Sequence, residues 1–257
     1  MDRLFSGRRM GTFLETQDWD SLFVIGYLVL CVIGLVTMLY VTRNFAYNLL
    51  VNHGGLTMIK ISNMTGKLSG FKALNTNTLT NEFCMKMYNS GKDDIICTHC
   101  YSADMLQGLR KNCVPAWQKN SDILSGGLIP PHMLPTILDA FFRFSGHGEL
   151  INRIHLENLH NITKHNPHCA FALWTKRKNL INDFYAKNDK PSNLILIYSN
   201  PRIDAVMNEP PKHFDRTFNN VSKDSDVDQN CTGQKCKDCL LCYTVNNGVT
   251  TIVEAVK

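Results

Sequence analysis

The chain has no internal repeat, no long low-complexity tract, and no charged side chain between Asp20 and Arg43. Nor does it carry a strong excess of either sign. Lys and Arg number 27 against 22 Asp and Glu, a net charge of +5, which is too mild to argue nucleic-acid binding by itself. One basic turn, Lys176-Arg177-Lys178 beside Trp174, adds only a thin signal of that kind. Charged residues are 19% of the total, and 16 Gly with 9 Pro make up about a tenth of the chain. A wholly disordered chain and a collagen-like one are thereby excluded. The histidines at 155, 160, 165 and 168 never repeat at i, i+4, so no histidine metal site is proposed.

What is present is unevenly distributed. The four arginines and four acids of residues 1–57 cancel, so the whole +5 lies in residues 58–257. The run from Ser21 to Thr42 is 22 residues without a charge, about 33 Å as a helix and enough to cross a hydrocarbon core. Tyr27 and Tyr40 stand towards its ends, where amphipathic rings favour the interface. The sequence therefore divides into a polar tail (1–20), a transmembrane helix (21–42), a linker (43–57) and a body (58–257). Met58 is itself a possible start, which makes residues 1–57 a module added to the body. Arg3, Arg8 and Arg9 favour an inside N-terminus. Reduced thiols argue the opposite topology, with the cysteine-bearing body on the reducing, cytoplasmic side of a single-pass protein.

Within the body, short apolar runs alternate with helical periodicity. Met58–Ile61, Phe141–Phe144, Cys169–Trp174 and Leu194–Tyr198 read as strands; 103–119, 149–165 and 180–186 read as helices; Asn219–Asn230 reads as an exposed loop. Strand, polar loop and helix in repetition predict an α/β fold, a parallel sheet with crossover helices. Strands apolar throughout predict helices over both faces. Two hundred residues suit a partial (β/α) barrel-like sheet, preceded by the one transmembrane helix. Ligands gather at the carboxyl ends of such strands, which here carry Cys97–Tyr101, Ser145–Glu149, Thr175–Lys178 and Ser199–Arg202. His147, Glu149 and Lys176 are the candidate substrate-facing or catalytic side chains.

Ten cysteines give the sharpest signal. Cys97 and Cys100 form a Cys-x-x-Cys pair with Cys84 upstream, and Cys231, Cys236, Cys239 and Cys242 form a C-x4-C-x2-C-x2-C run. Two-residue spacing turns both sulfurs towards one centre, as in zinc knuckles and iron–sulfur sites. These seven are the candidate metal ligands. The tight terminal run leans towards an iron–sulfur cluster, whereas two separated pairs would suit zinc; both remain open. Cys113 and Cys169 fall on apolar stripes and read as core residues.

Taken together, Cys84, the Cys97-Thr98-His99-Cys100-Tyr101 segment opening a helix, Phe141–Phe144 leading into Ser145-Gly146-His147, the strand ending Trp174-Thr175-Lys176, and the terminal cysteine run resemble the phage "gene product 88" family. That family is similar in turn to the radical S-adenosylmethionine fold. The resemblance spans roughly residues 58–257 and implies a partial barrel, iron–sulfur clusters and S-adenosylmethionine as a cofactor, with no established activity. The chain departs from the C-x3-C-x2-C pattern of radical enzymes, because twelve residues separate Cys84 from Cys97. It also has His147 after Ser145-Gly146, with Glu149 two positions further on. The expectation is a membrane-anchored protein that binds iron–sulfur clusters; the alternative is a zinc-stabilised, non-enzymatic interaction protein.

Overall fold

A computed structural model describes residues 30–40, 42 and 59–256. The chain divides into two units, Met1–Gly55 and Leu56–Lys257. In the first, residues 30–40 are helical with exposed side chains, and Thr37 Oγ1 donates back to the Ile33 carbonyl at 2.9 Å. No helix among the described residues is long and apolar enough to cross a membrane. Most of the expected 21–42 span's N-terminal half, the 1–20 tail and the 43–57 linker lie outside the described residues.

The second unit is built on a seven-stranded sheet whose spatial order follows the chain, β1 to β7. β1 (Ile61–Asn63) runs antiparallel to β2 (Lys72–Leu74). From β2 onward every pairing is parallel, through β3 (Phe141–Phe144), β4 (Ala170–Thr175), β5 (Leu194–Ile203), β6 (Arg216–Val221) and β7 (Thr251–Ala255). The β2–β3 connection holds helices α1 (Glu82–Tyr88), α2 (Tyr101–Gln107) and α3 (Val114–Gly126). Helices α4 (Arg153–His165) and α5 (Lys178–Tyr185) form the next two crossovers. The β6–β7 connection carries only the single turn α6 (Cys236–Cys239).

The period-2 alternation of the strands sorts their side chains onto two faces. Phe142, Phe144, Phe171, Leu173, Leu194 and Leu196 point to one face and form a core with Leu124 of α3, Leu156, Leu159 and Ile162 of α4, and Ile181 and Phe184 of α5. Phe144 and Phe171 stack at 4.9 Å, and fully burying a side chain of this kind stabilises the fold by about 1.5–3 kcal/mol. The opposite, inner face differs from the expectation of helices on both sides. There Phe71, Ala172, Trp174, Ile195 and Ile197 pack against Tyr243, Leu240, Cys236 and Cys242. The strands are apolar on both faces because the cysteine-bearing segment covers the second one.

Other elements depart from the sequence reading. The expected helix 103–119 is two helices, since Gly108 ends α2 and Pro115 stands in the first turn of α3; Leu109, between them, is 90% exposed. Asn219–Val221 belongs to β6, with Asn219 fully buried and bonded to Asn200 at 3.0 Å, and only the residues after it form the exposed loop. β5 runs on through Asn200-Pro201 by means of an irregularity between Ser199 and Ile203. Cys169 is buried in the core, whereas Cys113 is half-exposed at the start of α3.

Candidate metal centres

The loop leaving β2 fixes the first thiol group. Asn81 caps α1, its side-chain oxygen accepting from the Cys84 N–H at 3.2 Å while its amide donates to the Glu149 carbonyl at 2.9 Å. Cys84 is thus tied to the turn that follows β3. Downstream, the Ile203 N–H donates to the Asp94 carbonyl at 2.8 Å, and Ile95 makes an antiparallel bridge with Arg202. These contacts draw the Cys97 segment across to the far end of β5. Cys97 lies in a short 3-10 turn and Cys100 at the cap of α2.

Facing these thiols are Glu149 and Lys176. Glu149 is buried, and its two carboxylate oxygens accept from the backbone N–H groups of Leu150 (2.7 Å) and Lys176 (2.8 Å). Lys176 donates from Nζ to Ser199 Oγ at 3.0 Å. Burial works against the charge on Lys176, yet Cys97, Glu149, Cys100 and Cys84 outweigh it and raise the lysine above its ordinary value. Burial pushes the Cys84 thiol well up, with the Glu149 charge adding to it, and pushes Cys97 up against the pull of Lys176. Both thiols therefore give up their protons less readily than an ordinary cysteine. A solvent-open cleft of about 510 Å³ lies between Asn81, Phe83, Lys86 and Arg177.

His147 is buried between aromatic rings. It is 3% exposed, lies 4.5 Å from the Trp117 ring and 5.5 Å from that of Tyr101, and has both ring nitrogens engaged. Arg110 donates to Nε2 at 2.8 Å, which leaves Nδ1 to donate to Ser102 Oγ at 2.8 Å; Ser102 in turn meets Thr78 at 2.7 Å. Burial, then the charges of Arg110 and Arg143, hold the imidazole down at about 3. A neutral ring donating to the serine cannot take its proton, so His147 joins the β2 and β3 exits to α2 as a structural hub.

The terminal group sits on the inner face. Cys231, Cys236, Cys239 and Cys242 all line one shallow cleft of about 20 Å³. The Cys231 N–H donates to the Val253 carbonyl of β7 at 3.0 Å, and Tyr243 anchors the segment with its ring 4.4 Å from that of Phe71. Lys67 Nζ lies 3.5 Å from Cys231 Sγ and pairs with Glu254. Arg216 donates to the carbonyls of Val249 and Thr244 and to Asn247. Burial raises the Cys236 thiol, opposed by Lys67 and Arg143, and pushes Cys242 up to about 12, opposed by Arg143. Arg216 Nη1 is buried without a partner, and the Tyr243 hydroxyl faces the Arg143 guanidinium. Cations around four thiols fit an anionic, acceptor-rich centre such as a metal–thiolate group.

Among the described residues no group of three or more His, Cys, Asp or Glu side chains is arranged to hold a single metal ion. The spacing of the cysteines announced both groups, and Lys176 was singled out from its place at a strand end; Lys67, Arg143 and Arg216 were not. Arg143 had a signal, a charge inside an otherwise apolar strand. Lys67 and Arg216 had none, because only the folded chain brings them near. No family model, no curated protein and no solved structure matches the chain.

Proposed function

We propose that the chain is a membrane-anchored iron–sulfur protein of partial-barrel form. Cys84, Cys97 and Cys100 hold one cluster at the carboxyl ends of the strands, and Cys231, Cys236, Cys239 and Cys242 hold a second on the inner face. The observation that carries this reading is the convergence of the four terminal thiols on one cleft ringed by Lys67, Arg143 and Arg216. The strand order supports the barrel-like form, since every step from β2 to β7 advances in the same direction. The uncharged run 21–42 supports a membrane anchor. Resemblance to the gene product 88 family agrees with both clusters.

The tight two-residue spacing of the terminal cysteines favours a cluster over a structural zinc ion, which usually takes two pairs separated by a longer loop. Three thiolates at the first group leave one iron of a four-iron cluster open to a small molecule, for which the resemblance suggests S-adenosylmethionine. Lys176 and Glu149 supply charge beside that position; His147 shapes the turn that holds Glu149.

Anaerobic purification of the full chain tests the reading. The expected product is brown, with broad charge-transfer absorption and inorganic sulfide accompanying the iron. A colourless protein with stoichiometric zinc would overturn it in favour of the zinc-stabilised interaction protein.

A further inference from the structure

The cleft of about 510 Å³ between α1 and the entry of α4 has no part in the metal centres proposed above. Its size falls in the range of small-ligand sites. Most of its polar wall is already satisfied. Asn81 accepts from the Cys84 N–H and donates to the Glu149 carbonyl, Asn152 accepts from the His155 N–H and donates to the Ser125 carbonyl, and the Thr80 hydroxyl donates to Gln118. The wall is therefore fixed. Three charged side chains carry its open hydrogen-bonding capacity: Arg177, Lys86 and Glu82.

Arg177 is held in place before any ligand arrives. Its Nη1 donates to the Leu150 carbonyl at 2.9 Å and the Ile151 carbonyl at 3.0 Å, and its guanidinium carbon lies 5.0 Å from the centroid of the Phe83 ring. The Nε–Nη2 edge makes no hydrogen bond or ion pair among the described residues. That edge carries two parallel N–H groups, which match two oxygens of one anion. An anchor already immobilised loses little entropy on binding. Lys86, exposed on α1, pairs with no carboxylate among the described residues, Glu82 one turn before it included. The thirteen-residue α4 starts from the same wall, where Ile151 and Asn152 line the cleft, and its first turn adds partial positive charge.

We propose that this cleft binds a sugar phosphate, with a single phosphate group held by Arg177 and Lys86 on a hydroxylated body that reaches Glu82. Two cations beside a helix entry match a phosphate dianion better than a monocarboxylate. Glu82 accepts a hydroxyl hydrogen and repels a second phosphate, which disfavours a diphosphate. Phe83 and Ile151 offer apolar surface to the carbon skeleton. The competing role for Arg177 is that of a clamp on the turn before α4, which needs no ligand. The proposal concerns binding alone and holds whichever metal the cysteines take.

Ribose 5-phosphate, ribose, inorganic phosphate and pyrophosphate are titrated calorimetrically into the anaerobically prepared full chain and into its Arg177→Gln, Lys86→Gln and Lys178→Gln variants. Iron and zinc are measured on the same samples, and folding is checked by circular dichroism. Lys178 is the exposed neighbour of Arg177 and does not line the cleft. Saturable binding of ribose 5-phosphate is expected, weaker by about tenfold or more in Arg177→Gln and by about two- to fivefold in Lys86→Gln. Lys178→Gln is expected to bind as the wild type does, and the other three ligands more weakly than the ester. Absence of saturable binding, inorganic phosphate or pyrophosphate bound as tightly as the ester, unchanged affinity in Arg177→Gln, or equal loss in all three variants would overturn the proposal. Should Arg177→Gln not fold, Lys86→Gln against Lys178→Gln decides the matter. A metal-free wild type that binds the ester selectively would support this site while overturning the cluster reading; a cluster-loaded chain that binds none of the four would do the reverse.

Discussion

At the scale of single residues, burial sets the behaviour of the titrating groups. His147 and His155 are both held at about 3 by burial, against an ordinary 6.5. The unfolded chain binds protons at these sites below about pH 6.5 and the folded chain does not, so their contribution is complete above that pH and is lost as pH falls towards 3. Each costs about 2 kcal/mol of stability between pH 7 and pH 5. Urea unfolding at the two pH values measures this, and His155→Gln is expected to remove about half of the difference. The thiols differ in the same way. In metal-free protein Cys239, which is exposed, is expected to alkylate well before Cys84 or Cys242, as peptide mapping by mass spectrometry would show; equal rates would contradict the burial of the two groups. Cysteine spacing is visible in a sequence because ligation is local. The setting of Arg143 over Trp174 and beside Tyr243 is not, because it depends on what faces it across the sheet.

At the scale of elements, the turn after β3 couples the fold to the first thiol group. Gly148 has φ +81°, and a Cβ there would meet the Thr76 carbonyl oxygen at 2.7 Å and its hydroxyl closer still. Gly148→Ala is expected to destabilise the protein by about 2 kcal/mol or more and to lower metal loading by displacing Glu149. Gly126→Ala, at the end of α3 with open space for a methyl group, is expected to stabilise it by about 0.5–1 kcal/mol. Thermal melts with metal analysis separate the two effects. The apolar strands β3, β4 and β5 were legible because their side chains are hydrophobic on both faces. β6, Arg-Thr-Phe-Asn-Asn-Val, was not, since its polar side chains are satisfied by long-range partners such as Asn200 and Val249. The break at Gly108 was missed because an apolar stripe continued past it on paper, while in the fold Leu109 faces solvent.

At the scale of the whole molecule, the chain divides after residue 55. If residues 21–42 anchor the protein, the full chain is expected in the membrane fraction and residues 58–257 in the soluble fraction, still folded; a full chain recovered soluble without detergent would contradict the anchor. The succession of parallel strands was readable from alternating patterns, because each strand–helix unit repeats a local signal. The covering of the inner face by the terminal cysteine segment was not, since it joins residues separated by more than 150 positions, such as Phe71 and Tyr243. That closure brings one thiol group to the inner face and leaves the other at the strand ends.

Mössbauer spectroscopy of iron-labelled, anaerobically prepared full chain, compared with its Cys236→Ala/Cys239→Ala variant, tests the central claim most directly. Two cluster populations in the wild type, with about half of the iron lost in the variant, are the predicted result. A sample without cluster iron, or an iron signal indifferent to the two substitutions, would contradict the account.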